Sequence, residues 1–216
     1  MNSPEVERDL AGVRGAHRRL LATISDLSEE QARQPSRLPD WSVGHVLTHL
    51  ARNADGLSRM MEAAVHGEIA DMYVGGVEGR AADIAAGAER PAEELVADVR
   101  HGIARLERAW ADATDDAWSG QGRMVTGPVA LVELPWRRWR EAEVHHADLG
   151  LSYDFADWPA DFVRFELVRM TGQWASRKPM GLTSLPAAAL EAAPNDRLAW
   201  LFGRRDIAGV PAAGVF

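Results

Sequence analysis

The chain has 216 residues, enough for one large domain or for a main domain with a small appendage. Its formal net charge is −8 and its lysines and arginines are scattered, which argues against a nucleic-acid or anionic membrane surface, because phosphate binding needs a basic patch. The chain contains no cysteine, so disulfides, thiolate metal ligands and a thiol nucleophile of its own are excluded.

The sequence predicts neither a signal peptide nor a membrane span. Its first residues, MNSPEVERDLAG, are polar and acidic. No apolar run approaches the roughly 20 residues that cross a bilayer. A cytoplasmic protein is therefore expected.

The first part of the chain has the apolar spacing of amphipathic helices. Apolar residues at helical intervals predict a first helix over about 5–25, followed by a polar connection that contains two prolines. Ser42 has the side chain of an N-cap, and a second helix is expected from there to about His66. The Gly- and Ala-rich segment 67–91 is predicted to be a long loop with a short helix near 81–86.

Two further long helices are predicted before residue 150. The third has an apolar stripe from Leu95 to Trp110. The sequence SGQGRMVTG (119–127) indicates a turn or hairpin, and a fourth helix is expected from near Pro128 to Leu149. Four long helices with one long connection favour a four-helix bundle.

The character of the sequence changes after the fourth helix. Helices are predicted near 159–177 and 195–203, separated by the loose, alanine-rich segment 178–194. We therefore predict a mainly α protein with a bundle over residues 1–152. Residues 153–216 are expected to form a small C-terminal α+β or helical domain, or an extension.

The second helix carries two histidines, and one of them is placed to reach the interior. At about 100° per residue, His49 and Asn53 fall at the border of the apolar face, whereas His45 points further towards solvent. On this helix alone, two surface or core-edge histidines are the favoured interpretation, because histidine is often only partly buried.

The fourth helix contains the sequence REAEVHHADLG (140–150), with two glutamates and two adjacent histidines. Glu141 and His145 lie one turn apart on one face, and Glu143 and His146 project the other way. Periodicity does not decide which pair faces the interior, because this helix is apolar over most of its circumference. Surface Glu–His pairs that stabilise a helix would produce the same pattern.

Taken together, the two helices can supply a metal site. One interior histidine and a Glu-x-x-x-His pair provide two imidazoles and one carboxylate. This donor set suits zinc with an open fourth position, the arrangement of catalytic zinc sites. Nickel, cobalt or iron can be held by the same set, so the donor types do not select a single metal.

These segments resemble the mycothiol-dependent maleylpyruvate isomerases, a family within the DinB-like metal-dependent superfamily. The resemblance rests on the following stretches: LPDWSVGHVLTHLARNADG (38–56), REAEVHHADLG (140–150), MYVGGVEGRAADIA (72–85), ATDDAWS (113–119) and the pair Gly203–Arg204. It covers most of residues 5–155 and is patchy afterwards.

The resemblance implies a DinB-like four-helix bundle that binds one zinc ion. Carried over by motif, the ligands are His49, Glu141 and His145. Three neighbours are then not ligands, but are candidates to orient one: His45, Glu143 and His146.

The resemblance also implies a reaction, the cis-to-trans isomerisation of maleylpyruvate to fumarylpyruvate assisted by mycothiol, a low-molecular-weight thiol. A thiolate that adds to the double bond turns it into a single bond, which rotates before the thiol leaves. Because this substrate has two carboxylates, Arg204 and Arg80 are expected to bind it, although either arginine can also be a solvated surface charge. Arg138, on the Glu141 face, is instead a possible structural partner of that carboxylate.

The chain departs from the family in its C-terminal part. That domain usually carries strand-forming segments, whereas 178–194 is short and alanine-rich here, so a reduced domain and a changed substrate are open alternatives. A mycothiol or bacillithiol S-transferase acting on electrophiles fits the same site, as does a non-enzymatic metal-binding stress protein. The expected partners are a dicarboxylate substrate and mycothiol, with no nucleic acid and no membrane, and we favour a monomer.

Overall fold

The computed structural model describes residues 3–177 and 183–213. Within these residues the protein is mainly helical, with ten α-helices and one two-stranded hairpin, which confirms the predicted fold class. The chain divides into two compact units, Met1–Tyr153 and Asp154–Phe216. Among the described residues, no helix has the length and apolar character needed to cross a membrane. The assignment of residues 1–152 and 153–216 to two domains stays a prediction.

The first unit contains seven α-helices among its described residues. They are α1 (Pro4–Thr23), α2 (Glu29–Arg33), α3 (Val43–Val65), α4 (Gly76–Ala88), α5 (Ala92–Asp112), α6 (Asp115–Trp118) and α7 (Leu134–Asp148). Strands β1 (Gln121–Met124) and β2 (Gly127–Ala130) form an antiparallel hairpin between α6 and α7. The long helices α1, α3, α5 and α7 form the predicted bundle, in which α3 packs most extensively on α5 and α1 on α7.

The core of this unit lies between the long helices. Apolar residues recur on α3 and α5 at intervals of three and four, so that each helix buries one continuous face. The buried cluster includes Leu20, Val46, Leu47, Leu50, Leu95 and Val99.

The beginning of α3 is set by local interactions. The Ser42 hydroxyl accepts a hydrogen bond from the His45 backbone N–H (3.3 Å), and His45 Nδ1 accepts one from the Ser42 N–H (3.2 Å). This capping box confirms Ser42 as the N-cap. Gly44 is needed in the same first turn, because a Cβ there would overlap the carbonyl oxygen of Ala88 at the end of α4.

The fourth long helix begins later than predicted. Pro128 lies in β2, and a 3₁₀ turn over Leu131–Glu133 precedes the start of α7 at Leu134. Pro135 occupies the first turn of α7, where no partner for its missing N–H is needed. The predicted start of the fourth helix near Pro128 was therefore wrong. Proline is tolerated in an edge strand as well as in the first turn of a helix. The hairpin predicted near 119–127 is confirmed.

The long connection after α3 contains more helix than predicted. α4 is preceded by Gly75, whose φ of 75° lies in the left-handed region that favours glycine. Alanine has a high intrinsic helix propensity, which explains a full helix here despite a weak apolar pattern. The helix buries only a small face, formed by Ile84, Gly87 and Ala88.

The second unit is helical throughout its described residues. It contains α8 (Ala160–Ala175), α9 (Ala187–Glu191) and α10 (Pro194–Leu201), of which α8 and α10 confirm the two predicted helices. No strand is present in 154–177 or 183–213. This part of the chain therefore has the helical architecture, the second of the two that were expected, and not the α+β one. The rest of the loose segment that was expected to be reduced, residues 178–182, lies outside the described residues.

Candidate metal centre

Two long helices bring three potential metal ligands together. His49 on α3 and Glu141 and His145 on α7 each offer a ligand atom, and these atoms lie within 4.8 Å of one another. His49 Nε2 is 2.9 Å and His145 Nε2 is 3.5 Å from the same carboxylate oxygen, Oε2 of Glu141. Among the described residues, no other group of three or more histidines and carboxylates meets this spacing.

The helices orient these side chains by simple periodicity. Glu141 and His145 are one turn apart on α7, so they share the face that is turned to α3. His49 is buried, with 3% of its surface exposed, in agreement with its predicted position at the edge of the apolar face. Solvent reaches the cluster from the side of α7, where 30% of the Glu141 side chain and 16% of the His145 side chain are exposed.

The protonation states favour metal binding. Burial lowers the pKa of His49 to about 4, against the opposing effect of its hydrogen bond with Glu141. Burial acts to raise the pKa of Glu141, but the hydrogen bond with His49 and the charges of the nearby histidines and Arg138 lower it below its ordinary value. Neutral imidazole and ionised carboxylate are the forms that bind a divalent ion, so the donor set fits such an ion.

Asp148 lies behind His145 and was missed in the sequence analysis. Its Oδ2 is 2.9 Å from His145 Nδ1, and its side chain is buried. A proton on Nδ1 that is donated to this carboxylate leaves the lone pair of His145 on Nε2, the atom that faces Glu141. The available signal was the His-x-x-Asp spacing in HHADLG, because residues three apart share a helix face.

An Asp148→Asn substitution is expected to weaken zinc binding by about 10- to 100-fold. The amide removes the negative charge that orients His145 and increases the basicity of its Nε2. Zinc affinity would be measured by competition with a chromophoric chelator. Asp9→Asn is the matched control, because Asp9 is a buried carboxylate on α1 that binds Arg8. This substitution is expected to leave the zinc affinity unchanged. Equal affinities for both variants would contradict this role of Asp148.

Arg80 is also brought to the cluster. Its Nη2 lies 3.2 Å from His49 Nδ1, and its guanidinium carbon lies 5.8 Å from the centre of the Tyr73 ring. Burial, together with the charge of Glu141, raises the pKa of Tyr73, which is therefore a neutral phenol. Trp41 packs against His49, with ring centroids 5.7 Å apart. The structure thus places one of the two expected arginines beside the candidate ligands, and its role in substrate binding stays a prediction.

Arg204 lies in the second unit, after α10. Its Nη1 donates a hydrogen bond to the Phe202 carbonyl oxygen over 2.7 Å. The preceding Gly203 has a φ of 70°, which ends the helix in the left-handed conformation. A role for Arg204 in binding a carboxylate stays a prediction.

The other histidines of the two motifs have structural partners. The side chain of His45 belongs to the capping box of α3. His146 Nε2 lies 2.8 Å from the Thr23 hydroxyl on α1, and its ring stacks on Tyr153 with centroids 3.8 Å apart. Burial lowers the pKa of His146 to about 3, so it is neutral at pH 7. Neither histidine belongs to the group of clustered ligand atoms.

Glu143 belongs to a separate buried network. It accepts hydrogen bonds from Arg19 on α1, from Trp139 Nε1 (3.2 Å) and from the Tyr153 hydroxyl (2.5 Å). Its side chain is fully buried. The two glutamates of the motif therefore face different surroundings, one the candidate metal centre and the other the contact between α1 and α7.

Comparison with known proteins connects this site to a family. The family model described as "Mycothiol maleylpyruvate isomerase N-terminal domain" matches residues 13–150. A crystal structure of the mycothiol-dependent maleylpyruvate isomerase is similar, with a TM-score of 0.83 and 26% sequence identity, covering 96% of this chain and 95% of that chain. A histidine-to-alanine mutant of that isomerase has a TM-score of 0.80 at 26% identity, covering 92% and 89% of the two chains. No curated protein sequence matches this chain.

Proposed function

Because the chain belongs to the mycothiol maleylpyruvate isomerase N-terminal domain family, we propose that it is a thiol- and metal-dependent cis–trans isomerase that converts maleylpyruvate to fumarylpyruvate. The observation that carries this proposal is the cluster of His49, Glu141 and His145 in a fold similar to that of the isomerase. The chain has no cysteine, so the thiol has to come from a cosubstrate, for which mycothiol is the first candidate.

The three clustered side chains would hold a divalent ion, for which zinc is the first candidate. His49 and His145 would supply nitrogen ligands and Glu141 an oxygen ligand. With three protein ligands, the ion would have a position free for the thiol or the substrate, as in catalytic zinc sites. When bound, such an ion would supply Lewis acidity that lowers the pKa of the thiol or polarises the substrate carbonyl.

The proposed reaction is balanced without a redox step. The thiolate sulfur adds to one carbon of the double bond, and the π electrons move to the conjugated carbonyl as an enolate. The former double bond then rotates as a single bond. When the enolate electrons re-form the double bond, the carbon–sulfur bond breaks and the thiolate is released, so it acts as a nucleophilic catalyst.

The contribution of the chain's own cations would be to bind and orient the dianionic substrate. Arg80 is one candidate because its guanidinium lies beside His49. Arg204 is the other, because it occupies the position of the family's C-terminal Gly-Arg pair. Two bound carboxylates would fix the double bond relative to the thiol, and a nearby cation would offset the negative charge that develops on the carbonyl oxygen.

A spectrophotometric assay of maleylpyruvate conversion by zinc-loaded protein tests this proposal. We expect turnover that requires mycothiol and that falls on the order of 100-fold or more in His49→Ala, which loses a ligand. His45→Ala is the control from the same helix, because it loses the cap contact with Ser42 and the stacking on Trp41 but no candidate ligand. Thermal unfolding of each variant would verify that it is folded. Zinc-loaded wild-type protein without thiol-dependent turnover would overturn the isomerase, and thiol transfer to electrophiles would then be assayed.

A further inference from the structure

A buried polar network joins the four long helices next to the candidate metal centre. Arg138 of α7 is fully buried. Its Nε donates to His17 Nε2 of α1 (3.1 Å), and its Nη1 donates to the Leu50 carbonyl oxygen (3.0 Å) and to Asn53 Oδ1 (2.8 Å) of α3. His17 Nδ1 in turn lies 2.8 Å from Glu107 Oε1 of α5. Arg138 is therefore held in place by three hydrogen bonds to two neighbouring helices.

This network keeps a positive charge inside the bundle. Because His17 accepts a hydrogen bond at Nε2, its proton is on Nδ1 and is donated to Glu107. Burial lowers the pKa of His17 to about 4, so it is neutral, and burial lowers the pKa of Arg138 to about 10, so it stays protonated at pH 7. Arg138 Nη2 is buried without a hydrogen-bond partner. Within the described part of the chain, no carboxylate forms a direct ion pair with this guanidinium.

Arg138 lies one turn before Glu141 on α7, and its position on that face made it a candidate structural partner of the carboxylate. The structure corrects this expectation, because its hydrogen bonds go to His17, Leu50 and Asn53. The two side chains interact through charge instead. Each favours the ionised form of the other, the guanidinium by lowering the pKa of Glu141 and the carboxylate by raising that of Arg138.

We propose that Arg138 is a positioning residue whose buried charge makes the metal centre favour an anionic ligand at the position that the protein leaves open. This inference rests on the metal site of the proposed function. A divalent ion with two neutral imidazoles and the Glu141 carboxylate has a net charge of about +1. Arg138 adds a further positive charge in a region that water and salt screen poorly. Arg80 and Asp148, the other groups beside the ligands, are of opposite sign.

Cobalt(II) is the probe for this inference, since its visible absorption reports the ligands at a tetrahedral site. The cobalt-loaded protein would be titrated with azide, a small anion that enters an open position. We expect Arg138→Met to raise the Kd for azide about tenfold, the order of effect that one unit charge has on a nearby anion in a poorly screened site. Arg138→Lys retains the charge and is expected to stay within about twofold of wild type.

A second variant addresses the same charge without removing a buried side chain. Asn53→Asp is isosteric and places a carboxylate on Arg138 Nη1, 2.8 Å away in the wild-type protein. It is expected to raise the azide Kd by a similar factor of about ten, because it neutralises the guanidinium. Arg137→Met is the control, because Arg137 pairs with Glu133 on the outside of the same helix and its loss is expected to change the Kd less than about twofold.

These variants separate charge from shape. An unchanged azide Kd in folded Asn53→Asp would overturn the inference, even if Arg138→Met failed to fold. An increase in Arg138→Lys equal to that in Arg138→Met would also overturn it, because shape rather than charge would then matter. Wild-type protein that binds cobalt and azide but does not isomerise maleylpyruvate would overturn the proposed function and leave this inference standing. Wild-type protein that binds no cobalt would overturn both.

Discussion

Glu141→Gln is expected to lower the affinity for zinc by more than the roughly 10- to 100-fold that loss of an outer partner costs. Glu141 is the only anionic side chain among the three candidate ligands, and its Oε2 lies between the two imidazoles, 2.9 Å from His49 Nε2 and 3.5 Å from His145 Nε2. The isosteric amide removes the charge that attracts the cation and replaces one oxygen with a donor group. Competition with a chelator would give the zinc Kd of both proteins.

The same substitution is expected to have little effect on folding. The Glu141 side chain is 30% exposed, so a neutral amide can contact water on one side, and the free energy of unfolding is expected to change by less than about 1 kcal/mol. Urea unfolding of the metal-free protein would measure this value. A zinc Kd equal to that of wild type would show that Glu141 is not a ligand.

Glu143→Gln is expected to do the reverse: it should destabilise the fold and leave the affinity for zinc nearly unchanged. The carboxylate is fully buried and accepts hydrogen bonds from Arg19, Trp139 and Tyr153. Burial raises its pKa, against the effects of Tyr153 and Arg19, which lower it. An amide cannot accept three such bonds, and its N–H groups would face donors. Because 37% of the Arg19 side chain is exposed and can turn to solvent, we expect a loss of about 2–3 kcal/mol, below the 3–5 kcal/mol typical of a fully buried pair.

Urea unfolding of metal-free Glu143→Gln would measure this loss, and the zinc Kd of the folded variant is expected to stay within about twofold of wild type. Trp136→Phe on the same helix is a control for mild repacking of α7. An unfolding free energy of Glu143→Gln equal to that of wild type would contradict the structural role of Glu143. A large loss of zinc affinity in this variant would contradict the assignment of ligands. Together the two glutamate variants separate metal binding from stability within one short motif.

The long helices could be predicted from local sequence because their causes are local. Apolar residues three and four apart define one buried face, and Ser42 caps α3 through atoms only three residues away. Where local signals were ambiguous, the prediction failed. Pro128 and Pro135 are both acceptable helix starts by type, and only the pairing of β1 with β2 assigns the first of them to a strand.

The donor set of the candidate centre was likewise readable from the sequence, but its arrangement was not. Periodicity placed His49 at the edge of the buried face of α3. It did not distinguish Glu141 from Glu143, because α7 buries residues on most sides, and the resemblance to the family was needed to favour Glu141 and His145.

By itself, then, the sequence determined the four long helices, the absence of a protein thiol, and a set of histidines and glutamates suited to a divalent metal. Periodicity could not decide which of them meet, and beyond the family resemblance this is a matter of tertiary structure, because His49 and Glu141 are 92 residues apart and come together only when α3 packs against α7. Tertiary structure also decided that Asp148 supports His145 and that Arg138 binds His17 and Asn53 instead of Glu141. Helix periodicity states which residues share a face, whereas the partner of that face is chosen by packing between distant segments.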